Sequence, residues 1–233
     1  TRSTPAAKAA DAFKALFELG DQVPHEMSAS AGVGTNGRGE TTSALRGTYL
    51  GSPEAARKIL DPYLKKLGEP IRTRFDSIDY VRLQSIIDGS LLAKSGSYSQ
   101  TGFFNHVDDH VAEAIADYGL KYAMPNASVG ISQQGGITNK VASDAMAFPH
   151  RDTIYHCSVG VDWTDPQDAA PLKKFADDGW DALGPMGAGG SYANSAVDPS
   201  EAKIRKIYGS NYARLVEVKD MYDPTNFMHL NVN

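Results

Sequence analysis

Apolar residues recur at helical spacing near the start of the chain: Ala9, Phe13, Leu16 and Phe17 form one stripe that stops at Gly20. Thr4 and Pro5 predict the start of this helix, as its cap and first helical residue. From 28 to 43 the chain is rich in Ser, Gly, Thr and Asn and reads as a loop between weak strands. Residues 45–50 predict a short strand. Ser52-Pro53-Glu54 opens a second helix through Leu67, which Pro62 kinks or divides and Gly68 and Pro70 end. The stretch 78–92 fits helix and strand equally. A third helix is predicted over 107–118, with Val107, Val111, Ala114, Ile115 and Tyr118 facing inward.

The period then shortens to two. Val129 and Ile131 alternate with polar neighbours, and Gly135-Gly136 ends that strand. Tyr155, Cys157, Val159 and Val161 form one face of another, while His156, Ser158, Gly160 and Asp162 form the other. Helices are predicted over 172–183, Glu201–Tyr208 and Tyr212–Tyr222, the last two separated by Gly209. Strands with one polar face, interrupted by helices, define an α+β fold: an antiparallel β-sheet covered by helices on one face. Its other face needs a cover, and a cofactor domain would supply one.

With 233 residues the chain fits one large domain or two small ones. The net charge of -5, with no basic stripe, excludes a nucleic-acid surface. Cys157 stands alone, so no internal disulfide forms, which suits a reducing compartment or a secreted protein without a bridge. No apolar run approaches membrane-spanning length. The first residues carry neither an initiator Met nor an apolar signal core, so a processed or truncated start is expected.

Candidate chemistry is sparse at first sight. His106 and His110 lie four apart on a helix, but no third ligand accompanies them, so no metal is expected. Gly34, Gly37 and Gly39 lack the strand, helix and spacing of a phosphate cradle and read as a hairpin loop. Cys157, in mid-strand, reads as a packed hydrophobe. In Asp144-Ala-Met-Ala-Phe-Pro-His-Arg151, either His150 or Arg151 reaches an anion or a carbonyl of a ligand, or Arg151 pairs with a nearby carboxylate. The closing Tyr222-Asp-Pro-Thr-Asn226 and Asn231-Val-Asn233 offer amides suited to a heteroaromatic ring edge, or form a polar tail.

Read in order, these segments tip the balance. Tyr49-Leu-Gly51, Gly135-Gly136, the Phe148-Pro-His-Arg151 run, Trp163, Tyr192-Ala-Asn194, Tyr208-Gly209, Asn211-Tyr-Ala-Arg-Leu215, Lys219, Tyr222-Asp-Pro-Thr-Asn226 and Asn231-Val-Asn233 resemble the C-terminal portion of berberine-bridge-enzyme-like FAD-linked oxidases. The resemblance covers essentially the whole chain. It implies the substrate domain of a vanillyl-alcohol-oxidase-type flavoprotein over 1–233. The segment from about 192 to 233 would return toward an N-terminal FAD-binding domain that this chain lacks.

By that resemblance Tyr192, Asn194, Asn231 and Asn233 are cofactor-proximal, and FAD is held mainly by the missing domain or a companion chain. His156, Tyr192 and Ser158 are the catalytic candidates, although some relatives place an acid or amide near Ser158 and a serine departs from that. Tyr80, His156 and Arg151 are expected to touch a small-molecule substrate. The implied reaction moves a hydride from an alcohol, amine or sugar carbon to flavin, with oxygen as final acceptor. The alternative from another class is a flavin-free binding protein or non-redox cyclase, its open sheet face a pocket or a homodimer interface.

Overall fold

The computed structural model describes residues 1–20, 23–89, 94–196 and 200–230. Seven strands make one antiparallel sheet in the order β4-β1-β3-β2-β6-β7-β5. They are β1 (Arg2–Pro5), β2 (Met27–Thr35), β3 (Thr41–Tyr49), β4 (Arg72–Thr73), β5 (Gly96–Phe104), β6 (Ala127–Gln133) and β7 (Tyr155–Trp163). The helices are α1 (Ala9–Gly20), α2 (Pro53–Lys66), α3 (Tyr80–Gln84), α4 (Asp109–Lys121), α5 (Ala169–Leu183), α6 (Glu201–Tyr208) and α7 (Tyr212–Tyr222). The expected α+β architecture is therefore present.

The core lies between one sheet face and α1, α4 and α5. Ala9, Phe13, Leu16 and Phe17 are buried on α1, as their spacing predicts. They meet Ala29, Ala31, Val33, Val129, Ile131, Tyr155, Cys157 and Val159 in one cluster. Burying each large apolar side chain contributes about 1.5–3 kcal/mol, which makes this layer the main source of stability. Glycines let the layers close: a Cβ at Gly119 would stand 2.3 Å from Val33, and one at Gly179 would stand 2.6 Å from Tyr118.

Three local expectations need correction. Thr4 and Pro5 do not start a helix; they end β1, where the Thr4 hydroxyl meets that of Ser43 at 2.8 Å. Pairing with β3 overrides their capping preference. Residues 28–43 are not a loop but β2, a tight turn and the start of β3, because Met27, Ala29, Ala31, Val33 and Thr35 are buried while their neighbours face outward. Pro62 does not divide α2, which runs from the Ser52 cap to Lys66. Residues 80–84 are helical, and β5 had no forecast at all. By contrast, β7, α6 and α7 have the expected bounds.

Candidate functional site

The sheet face turned away from the helices is paved with small polar residues. Register aligns them in rows across the strands: Arg46, Ser30, Ser132, His156; then Ala44, Gly32, Gly130, Ser158; then Thr42, Gly34, Ser128, Gly160. Side chains this short leave a broad concavity of about 560 Å³ above β3, β2, β6 and β7. Arg46, His156 and Asp162 are the titratable side chains among the residues lining it. The composition that hid β2 from sequence reading, alternating Ala or Val with Ser or Gly, is what makes this face a trough.

One end of the trough is closed by an aromatic wall. Phe103 on β5 stacks on His150 at 4.8 Å and on His156 at 5.5 Å between ring centroids. Tyr192 stands edge-on to His156 at 6.3 Å and to Phe148 at 6.2 Å. Three contacts hold the wall: His150 Nε2 meets the Ile207 carbonyl at 2.9 Å, Ala188 N donates to the Phe103 carbonyl at 2.7 Å, and the Thr101 and Ser191 hydroxyls meet at 3.2 Å. Asn194 donates to the Tyr192 hydroxyl at 2.9 Å.

His156 is the most informative side chain here. Burial against the wall lowers its pKa below the usual imidazole range, so the ring is neutral near pH 7. Its Nε2 is buried and has no hydrogen-bond partner among the described residues. A buried polar atom left unpaired costs about 1–3 kcal/mol.

The sequence-derived candidates divide. His156 and Ser158 line the trough, and Tyr192 and Asn194 flank it. Tyr80 does not join them. It lines a separate concavity beside α2 with Leu50, Phe75 and Ile86, because β3 and α2 carry residues 80–84 to the sheet edge. Arg151 is also elsewhere engaged: it donates to the carbonyls of Phe148 and Thr138 and lies 5.0 Å over the Phe148 ring. It therefore braces the wall, and it pairs with no carboxylate among the described residues. Asn231 and Asn233 lie outside the described residues. Arg46 was missed; its signal was a lone Arg in a strand whose facing positions are Ser and Gly.

No cluster of side chains suited to a metal occurs among the described residues, and no helix there is long and apolar enough to cross a membrane. Nor is there a phosphate cradle in the glycine-rich turn. Asn36 Oδ1 accepts from the amides of Arg38 and Glu40, so that turn spends its donors internally. The start of α4 is capped by the Asp108 carboxylate, which repels an anion.

The geometry is that of an antiparallel sheet with one helix-covered face and a polar, concave open face backed by aromatics. Residues 192–233 match the family described as "Berberine and berberine like". The chain is similar to an FAD-linked oxidoreductase of Dictyostelium discoideum, 26% identical over 216 residues, covering 91% of this chain and 45% of the relative. A chitooligosaccharide oxidase of Gibberella zeae is 24% identical over 90% of this chain and 46% of its own length. In fold it matches Physcomitrella patens BBE-like 1 with a TM-score of 0.79, at 20% identity over 97% of this chain and 51% of that one. Berberine bridge enzyme of Eschscholzia californica gives 0.75, at 16% identity over 97% and 52%. Most of the chain is thus similar to part of FAD-linked oxidoreductases, and it spans about half the length of the curated relatives it matches.

Proposed function

We propose that this chain is the substrate-binding part of an FAD-dependent oxidase acting on an alcohol, amine or sugar carbon. The observation that carries the reading is His156: a neutral imidazole with an unpaired buried Nε2, edge-on to the Tyr192 ring, at the walled end of an open polar trough. Bound FAD would supply the hydride acceptor, with oxygen regenerating it. The residues present fit one end of that cofactor only. Tyr192 and Asn194 offer a hydroxyl and an amide suited to a ring edge, whereas the glycine-rich turn and the α4 start reject a pyrophosphate, which a further domain or companion chain would hold.

The chain's own work follows from placement. The Ser30, Ser132 and Ser158 hydroxyls orient a hydroxylated substrate along the sheet. The aromatic wall excludes water beside the reacting carbon. His156, a neutral imidazole, takes the substrate proton, and the Tyr192 and Ser158 hydroxyls, which already carry theirs, position the substrate. The test is the visible absorption of the intact purified protein, with mass analysis of every polypeptide in it. An oxidised flavin band that bleaches anaerobically with a sugar or alcohol supports the reading. Colourless material made of this chain alone would leave the flavin-free binding protein in its place.

A further inference from the structure

The trough carries one charge that no carboxylate among the described residues answers. Of its titratable lining groups, Asp162 pairs with Lys94 at 2.7 Å and His156 is neutral, but Arg46 has no carboxylate within ion-pair distance among the described residues. Its guanidinium is directed over the floor: Nη1 lies 3.5 Å from where a Cβ on Gly32 would stand, on the neighbouring strand β2. Neighbouring groups lower its pKa by partial desolvation, although the side chain as a whole is exposed. An exposed guanidinium laid over the neighbouring strand, with no carboxylate beside it, can take a carboxylate by its two-pronged edge.

We propose that Arg46 binds the carboxylate of a hydroxyl-rich, disaccharide-sized substrate whose other end reaches the wall at His156. The proposal rests on reading the open face as the substrate site. Size follows from register: from β2, where the Arg46 head lies, to β7, which bears His156, is two strand spacings, about 10 Å. Two linked sugar rings bridge that gap, and one does not. Hydroxyl content follows from the floor, where Ser30 and Ser132 stand in the same row between Arg46 and His156. A carboxylate is favoured over a phosphate because no second cation lines the trough among the described residues.

The test uses lactobionate and lactitol, which differ in a carboxylate against a hydroxymethyl group, on the complete protein that contains this chain. Phenylglyoxal modification of Arg46 is followed by peptide mass analysis, with Arg74 and Arg205 as internal controls. Lactobionate is expected to protect Arg46 at concentrations at least roughly tenfold below those of lactitol, the effect of one charge-assisted hydrogen bond. Arg46→Gln should weaken lactobionate binding by a similar factor and leave lactitol within roughly twofold, with partial rescue in Arg46→Lys. Equal protection by both sugars, or protection by neither, overturns the proposal. The readout does not involve flavin. A protein reduced by neutral sugars whose Arg46 goes unprotected keeps the oxidase reading and loses this one, and a colourless protein with Arg46 protected does the reverse.

Discussion

At the scale of single residues, the site turns on two side chains that differ in what they can titrate. Tyr192 is part exposed and held by Asn194, so its hydroxyl is placed without being buried. Tyr192→Phe removes that hydroxyl and keeps the ring against His156. It should slow anaerobic flavin reduction by roughly a hundredfold while the fold is unchanged, as stopped-flow absorbance and circular dichroism would show. An unchanged rate would mean that the hydroxyl does not position the substrate. His156 has its own signature in stability. Its folded pKa is lowered by desolvation, so as pH falls through about 6.5 the unfolded chain takes up a proton that the native imidazole refuses. Stability drops across that window and levels off below the folded pKa. Urea midpoints at about pH 7.5 and about pH 5 should therefore differ more for the native protein than for His156→Phe. Equal differences would mean that the ring is solvated in the native state.

At the scale of elements, legibility tracked the contrast between apolar and polar positions. Strand β7 has the bounds read from its sequence because Tyr155, Cys157, Val159 and Val161 alternate with His156, Ser158, Gly160 and Asp162. Strand β2 was read as a loop because its inward residues are small alanines and its outward ones Ser and Gly. Strand β5 stayed hidden for a related reason: both its faces are covered, one by α5 and the other by the wall, so Thr101, Gly102, Phe103 and Phe104 are all buried and no alternation marks them. The candidate site was legible where the resemblance and the pattern agreed, at His156, Ser158 and Tyr192. It was illegible at Arg46, whose role depends on register with β2. The helix layer over one face and the open face should answer differently to one added methyl. Gly179→Ala brings a Cβ to 2.6 Å from Tyr118 and 2.9 Å from Val159, and should cost about 1–3 kcal/mol in urea unfolding. At Gly160 the nearest atoms are 3.9 Å away, so Gly160→Ala should stay within about 0.5 kcal/mol of the parent. Equal losses would mean that the open face is packed against something in the free protein.

At the scale of the molecule, the question is what the remaining surface is for. Met221, Tyr222, Phe227, Met228 and Leu230 are all more than 60% exposed, with relative values of 66%, 77%, 83%, 67% and 81%. Exposed apolar residues clustered in one segment signal a contact surface. This segment is nevertheless held in a defined path. At the end of α7, Asp223 accepts from Phe227 N at 2.7 Å, Met228 N at 2.9 Å and Lys219 Nζ at 2.5 Å. Those bonds keep its carboxyl below the usual range, with Lys219 the largest cause. The Tyr222-Asp-Pro-Thr-Asn226 motif thus works as a clasp: Asn226 takes the left-handed turn at φ 53°, and the chain leaves α7 with its apolar side chains presented outward. Asp223→Asn keeps the shape of the clasp but removes its charge. Its effect should appear first as faster hydrogen exchange at the Phe227 and Met228 amides, with β6 and β7 unaffected. If the tail is the seat of a flavin-holding partner, the same variant should lose flavin on gel filtration where the parent keeps it. Faster exchange with full flavin retention would show that the partner grips the open sheet face instead, and that the exposed tail serves another contact.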